Sequence, residues 1–164
     1  MRIKYLAVVL CVLSIGITPG VASAEEPPAP VSADSVSKAT EAFYAALNQM
    51  FVGELAPMEA VWSHKDDVVY VGPSGGMHTG WANILPIWKE QADLKLGGEI
   101  KIKNMHVING EDIAVVTNYE VGENTINGEV QKVELRATNI FRKEDGEWKM
   151  IGHHTDLLPW LVKK

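Results

Sequence analysis

The chain has 164 residues, 46% of them hydrophobic, with 15 Lys and Arg against 21 Asp and Glu for a net charge of −6. That length and apolar content support one domain with its own core, and the acidic balance argues against nucleic acid as a partner. Cys11 is the only cysteine, which excludes an internal disulfide framework and a cysteine-based metal site.

At the N-terminus, Arg2 and Lys4 precede an apolar run from Tyr5 to Ile17, followed by Thr18-Pro19-Gly20 and the small residues Ala22-Ser23-Ala24. This is the order of a secretory signal peptide over residues 1–24, cleaved before Glu25, and it predicts a periplasmic or secreted protein. The run of roughly a dozen apolar residues is too short to span a bilayer, so no stable membrane insertion is expected after cleavage. Arg2 and Lys4 are the only charges removed, leaving 13 basic against 21 acidic residues, or −8. Residues 25–33 are Pro-rich without an apolar period and read as a disordered linker, with the domain over 34–160.

Ser32 or Asp34 can cap a first helix, in which Val36, Ala39, Phe43, Ala46, Leu47 and Met50 recur on one face. A short second helix is predicted from about Leu55 to Trp62, after the break at Gly53. Asp67 to Gly72 reads as a strand, ended by Pro73-Ser74-Gly75-Gly76; the glycine-rich stretch to Gly80 is either a mobile rim or a plain hairpin. A third helix is expected from about Trp81 to Leu94, buried through Ile84, Leu85, Ile87 and Trp88, with Pro86 in its first turn or at a kink.

From there the chain is nearly all strand: Gly98 to Ile108, Ile113 to Val121, Glu129 to Lys143 and Glu147 to Thr155. Asn109-Gly110, Asn127-Gly128 and Asp145-Gly146 separate these runs, and such pairs favour tight hairpins because they tolerate positive φ. In the first strand the apolar parity changes between Ile102 and Met105, which predicts a bulge or bend. Helices first and an antiparallel meander afterwards give an α+β class, with helices packed on one face of the sheet.

Parity also nominates the inward side chains. On Val133 to Phe141 the apolar face contains one polar member, Asn139, which needs a partner if buried. On the last strand Trp148 and Met150 set a parity that Gly152, His154 and Asp156 continue, which puts His153 on the other face. An inward imidazole beside a carboxylate would suit proton transfer near neutral pH. His64, Asp66, Asp67, His78, His106, His153, His154 and Asp156 lack any diagnostic metal-ligand spacing, so no metal is expected. Without a nucleophile elbow, phosphate loop or dinucleotide fingerprint, no cofactor is expected either.

Ala42 to Asn48, Trp62-Ser63-His64 before Val68 to Val71, Gly80-Trp81, Asp112 to Thr117, Ala137 to Arg142 and Gly146 to Lys149 form an ordered set. The set resembles SnoaL-like domains of the nuclear transport factor 2-like (ketosteroid isomerase-like) superfamily over about residues 36 to 158. The resemblance implies a cone-shaped curved antiparallel sheet wrapped around three N-terminal-half helices, a cystatin-like roll, with a pocket at the wide end and a homodimer through the outer sheet face.

The expected function is an exported pocket protein binding a small, largely apolar molecule. One reading is a cofactor-free isomerase, cyclase or dehydratase, with His154 or Asp156 as base and Tyr70, Tyr119 or Asn139 steadying an enolate-like oxygen. Trp62, His64, Trp81, Trp88, Tyr119 and Asn139 are expected to line the ligand site. The alternative is a non-enzymatic ligand-binding or dimeric scaffold protein. A third is a metal-independent carbonic anhydrase, whose His-His-Ser-Ser ending His153-His154-Thr155-Asp156 resembles, although Asp156 would disfavour a bound anion.

Overall fold

The computed structural model describes residues 33–157 apart from Ser74. The expected signal peptide, the expected linker except Ala33, which opens the first helix, and the last residues of the domain lie outside the described residues. Three helices, α1 (Ala33–Met50), α2 (Ala56–Val61) and α3 (Trp81–Leu94), accompany six strands: β1 (Val69–Val71), β2 (His78–Thr79), β3 (Glu99–Asn109), β4 (Ile113–Ile126), β5 (Glu129–Glu144) and β6 (Glu147–Leu157). The single sheet runs in the order β2-β1-β6-β5-β4-β3. No described helix is long and apolar enough to cross a membrane.

Helix α1 buries Val36, Phe43, Leu47 and Met50, the expected three- and four-residue spacing, together with Thr40 and Tyr44. Its Asn48 takes the place of a neighbouring strand: Nδ2 donates to the Ile100 carbonyl at 3.0 Å while Oδ1 accepts from the Ile100 N–H at 2.8 Å. This clamp fixes the start of β3 against the helix. Trp81, Ile84, Trp88 and Ala92 are the buried residues of α3, with Pro86 inside the helix and Lys95 in the left-handed region closing its end.

Beyond Asn109-Gly110, Asn127-Gly128 and Asp145-Gly146, the meander pairs antiparallel as the turn signals require. Asn127 and Asp145 take positive φ together with the glycines that follow them, the conformation that twists a two-residue turn to match its strands. The expected break in β3 is a bulge between Lys103 and His106, with Asn104 at φ 55°. The stretch after Gly72 is a hairpin, pairing Val69 with Thr79 and Tyr70 with His78. One pairing departs from the antiparallel pattern: β1 lies parallel to β6, with Tyr70 opposite His153. Packing between helices and the inner sheet face gives one core, in which Phe43, Trp62, Trp88, Phe141 and Met150 are almost completely buried.

Candidate functional site

On β4, Ala114, Val116, Asn118 and Glu120 are buried alternately; on β5, Leu135, Ala137, Asn139 and Phe141 are. On β6 the alternation is interrupted. Asn139 pairs with His153 and Ile140 with Gly152, but Phe141 pairs with Met150, so Ile151 is an extra residue. The bulge restarts the parity, and Met150, His153 and Thr155 share the inner face while His154 is exposed.

The inner face and the helices enclose a cavity of about 520 Å³. Leu47, Phe51, Tyr70, Trp88 and Ile100 supply apolar wall. Glu120 and His153 line its buried end, whereas the exposed Ile126 and Lys132 stand at its mouth. Lys132 is the only Lys or Arg among the described lining residues, and it pairs with Glu134 at 2.9 Å.

A connected set of polar side chains lies under that buried end. The Tyr44 hydroxyl donates to Glu120 Oε1 at 3.0 Å and accepts from Asn118 Nδ2 at 2.8 Å. Asn139 Nδ2 donates to Asn118 Oδ1 at 2.9 Å, and Asn139 Oδ1 lies 2.7 Å from His153 Nδ1. His153 Nε2 lies 3.6 Å from Glu120 Oε1. Burial pushes the Glu120 carboxyl up to about 7 against the opposing hydrogen bond from Tyr44, and burial pushes the His153 imidazole down to about 3. Burial beside Glu120 also raises Tyr44. The result is a neutral imidazole facing a carboxyl that is poised to gain or lose a proton near neutral pH.

Tyr70 reaches the same cavity from β1. Its hydroxyl accepts from Gln91 Nε2 at 3.1 Å, and burial raises its pKa. The ring lies back over Gly72, where a side chain would overlap the phenol oxygen. The hydroxyl hydrogen remains available to a ligand oxygen, since no bond donated by it is present among the described residues.

Of the residues nominated from the sequence, Tyr70 and Trp88 line the cavity, and Asn139 is completely buried as the partner of His153. His154 and Asp156 do not: the Ile151 bulge turns both to the outer face, where Asp156 forms a two-point pair with Arg136. Tyr119 is likewise on the outer face, since its neighbours Asn118 and Glu120 point in. These three line a separate outer groove of about 390 Å³ with Thr117 and Thr138. Trp62 and Trp81 stack at 6.1 Å, and Trp62 lies 5.9 Å from Trp88, so they back the cavity wall without lining it. His64 stacks on Trp81 at 4.5 Å and bonds the Glu59 carbonyl, away from the cavity. Among the described residues no three His, Cys, Asp or Glu side chains gather closely enough to hold a metal ion.

The sequence reading omitted Tyr44, Asn118 and Glu120. Their signal was present in β4, where Asn118 and Glu120 continue the parity of the apolar Ala114 and Val116. A carboxylate on an apolar face is the anomaly to pursue.

The family model for the SnoaL-like domain matches residues 36–157. Among solved structures, a candidate dehydratase of the NTF2-like family from Streptomyces avermitilis superposes with a TM-score of 0.69 at 23% identity, covering 76% of this chain and 94% of that one. A candidate calcium/calmodulin-dependent protein kinase type II association domain from Thiobacillus denitrificans gives 0.64 at 28% identity, covering 74% and 94%. An NTF2-like protein with a cystatin-like fold from Novosphingobium aromaticivorans gives 0.61 at 13% identity, covering 80% and 88%. Comparison with curated proteins yields no match.

Proposed function

The chain belongs to the SnoaL-like domain family, and from that premise we propose that its cavity binds a small, largely apolar molecule and moves a proton on it through Glu120. The observation that carries this reading is a carboxyl group buried at the inner end of the cavity, held by Tyr44 and facing His153, where burial raises its pKa. A carboxylate there takes a proton from a carbon beside a carbonyl. The C–H electron pair moves into an enolate, whose oxygen accepts the Tyr70 hydrogen bond, and Glu120 returns the proton elsewhere on the same molecule. Substrate atoms are conserved, so the step is an isomerisation that needs no oxidant or reductant. The same abstraction followed by loss of a neighbouring hydroxyl as water would be a dehydration, the activity named for the candidate dehydratase of similar fold.

A second reading, a non-catalytic binding or scaffold protein, draws on the similarity to the candidate association domain. The proposal extends to an exported homodimer, supported by the basic-then-apolar N-terminus and by the family's shared architecture. Native mass spectrometry of protein purified from its own source, before and after denaturation, reports the dimer, the mature N-terminus and any co-purifying molecule. Incubating that molecule with the protein in heavy water at neutral pH then separates the readings. Deuterium incorporation that Glu120→Gln abolishes supports the enzyme; a bound molecule that never exchanges leaves the binding protein.

A further inference from the structure

One backbone carbonyl dictates the direction of every proton under the cavity. Asn118 Nδ2 lies 3.2 Å from the Tyr119 carbonyl oxygen, which can only accept, so this atom is the amide nitrogen. Asn118 Oδ1 must then be what faces Asn139, and the Asn139 atom meeting it at 2.9 Å must be Nδ2. Asn139 therefore turns its oxygen to His153, and the Nδ1 that meets it at 2.7 Å must carry hydrogen. A neutral His153 consequently presents a bare lone pair on Nε2. The same Asn118 nitrogen donates to the Tyr44 hydroxyl, which sends the phenol hydrogen to Glu120 Oε1.

Glu120 Oε1 and His153 Nε2 stand 3.6 Å apart, too far for a direct hydrogen bond. Resting on the pocket reading above, we infer that a neutral hydroxyl of the ligand bridges Glu120 Oε1 and His153 Nε2 from the cavity side, so that the site takes hydroxylated, uncharged molecules. A hydroxyl both accepts and donates: it accepts the proton of an acidic Glu120 while giving its own to Nε2, or it donates to an ionised Glu120. A carbonyl can only accept and leaves Nε2 unsatisfied. An anionic headgroup meets a carboxyl and a lone pair, with no Lys or Arg among the described residues lining the buried end. The same arrangement disfavours bicarbonate, hence carbon dioxide hydration. Asn118 and Asn139 are positioning residues in this scheme: Asn139 acts on the ligand through His153, and Asn118 through both Asn139 and the Tyr44–Glu120 hydrogen bond.

Two measurements test the inference. Nitrogen-15 NMR of the His153 ring in the ligand-free protein should show Nδ1 protonated and Nε2 bare. Binding of naphthalene, 2-naphthol, 2-naphthoate and 2-naphthylmethylammonium at neutral pH should favour the naphthol by at least tenfold over each of the others. Asn139→Leu, which frees the ring, should reduce that preference several-fold; should this variant fail to fold, the NMR tautomer and the wild-type ranking still decide. A protonated Nε2, or naphthoate or the ammonium binding as tightly as naphthol, overturns the inference while leaving the pocket reading intact. Failure of all four probes to bind overturns the pocket reading and the inference with it.

Discussion

Glu120 Oε1 and His153 Nε2 face each other across 3.6 Å at the buried end of the cavity, each 5% exposed or less. Burial acts on them in opposite senses: it keeps Glu120 protonated longer and His153 neutral longer.

Stability should therefore show a plateau with falling shoulders. Glu120 is near 7 folded against an ordinary 4.5, so its contribution is complete below about 4.5 and is lost as pH rises to 7. His153 is near 3 folded against 6.5, so its contribution is complete above 6.5 and is lost as pH falls to 3. Between about 4.5 and 6.5 the two slopes cancel. Urea unfolding across this range should find the plateau, with a loss of under about 1 kcal/mol on the alkaline side by pH 7 and about 2 kcal/mol on the acid side by pH 3. Glu120→Gln should remove the alkaline shoulder; an unaltered shoulder in that variant would refute the assignment.

The two adjacent histidines should differ sharply. His153→Ala leaves a cavity under Phe43 and an Asn139 without its partner, and should cost about 2–4 kcal/mol. His154→Ala and Asp156→Asn act on the exposed outer face, where an ion pair is worth about 0–1 kcal/mol. Both should leave naphthol affinity within about twofold, as thermal unfolding and probe titration can verify.

Gly72→Ala should disturb the cavity without touching a ligand. The added methyl overlaps the Tyr70 hydroxyl, so the ring must swing away from Gln91. The expected cost is about 1–3 kcal/mol with a changed near-ultraviolet dichroism, and the double variant Gly72→Ala/Tyr70→Phe should recover part of it.

Asn48→Leu removes both hydrogen bonds to the Ile100 backbone and leaves that peptide unit without its helix partner. A loss of about 2–3 kcal/mol is expected, with faster amide exchange at Ile100 and its neighbours. Unchanged exchange there would show that β4 alone holds the start of β3.

Strands β3 to β6 were legible because Asn-Gly and Asp-Gly turns and two-residue periodicity are local properties, and even the β3 bulge announced itself as a parity change at Ile102 and Met105. The parallel pairing of β1 with β6 was not legible, since it joins residues as distant as Tyr70 and His153 and leaves no local mark. Trp88 and Tyr70 were found by residue type. His153 was misassigned because the β6 bulge falls at Ile151, an apolar residue next to Gly152, where a parity change leaves no apolar-to-polar signature. Tyr44 looked like one more ring on the α1 core face, and only the sheet opposite it shows that its hydroxyl meets Glu120.

Ile151 has a consequence for how such a fold diversifies. Were Ile151 to pair opposite Ile140 instead of bulging, the unbroken alternation would carry His154 and Asp156 inward while turning His153 out; deleting it would leave His153 inward. Loss of the bulge with every residue kept thus exchanges a neutral acceptor for an imidazole-carboxylate pair, altering the chemistry of the cavity before any side chain is substituted. Within a family that shares one scaffold among many roles, a register shift at this point is as direct a route to a new activity as point mutation.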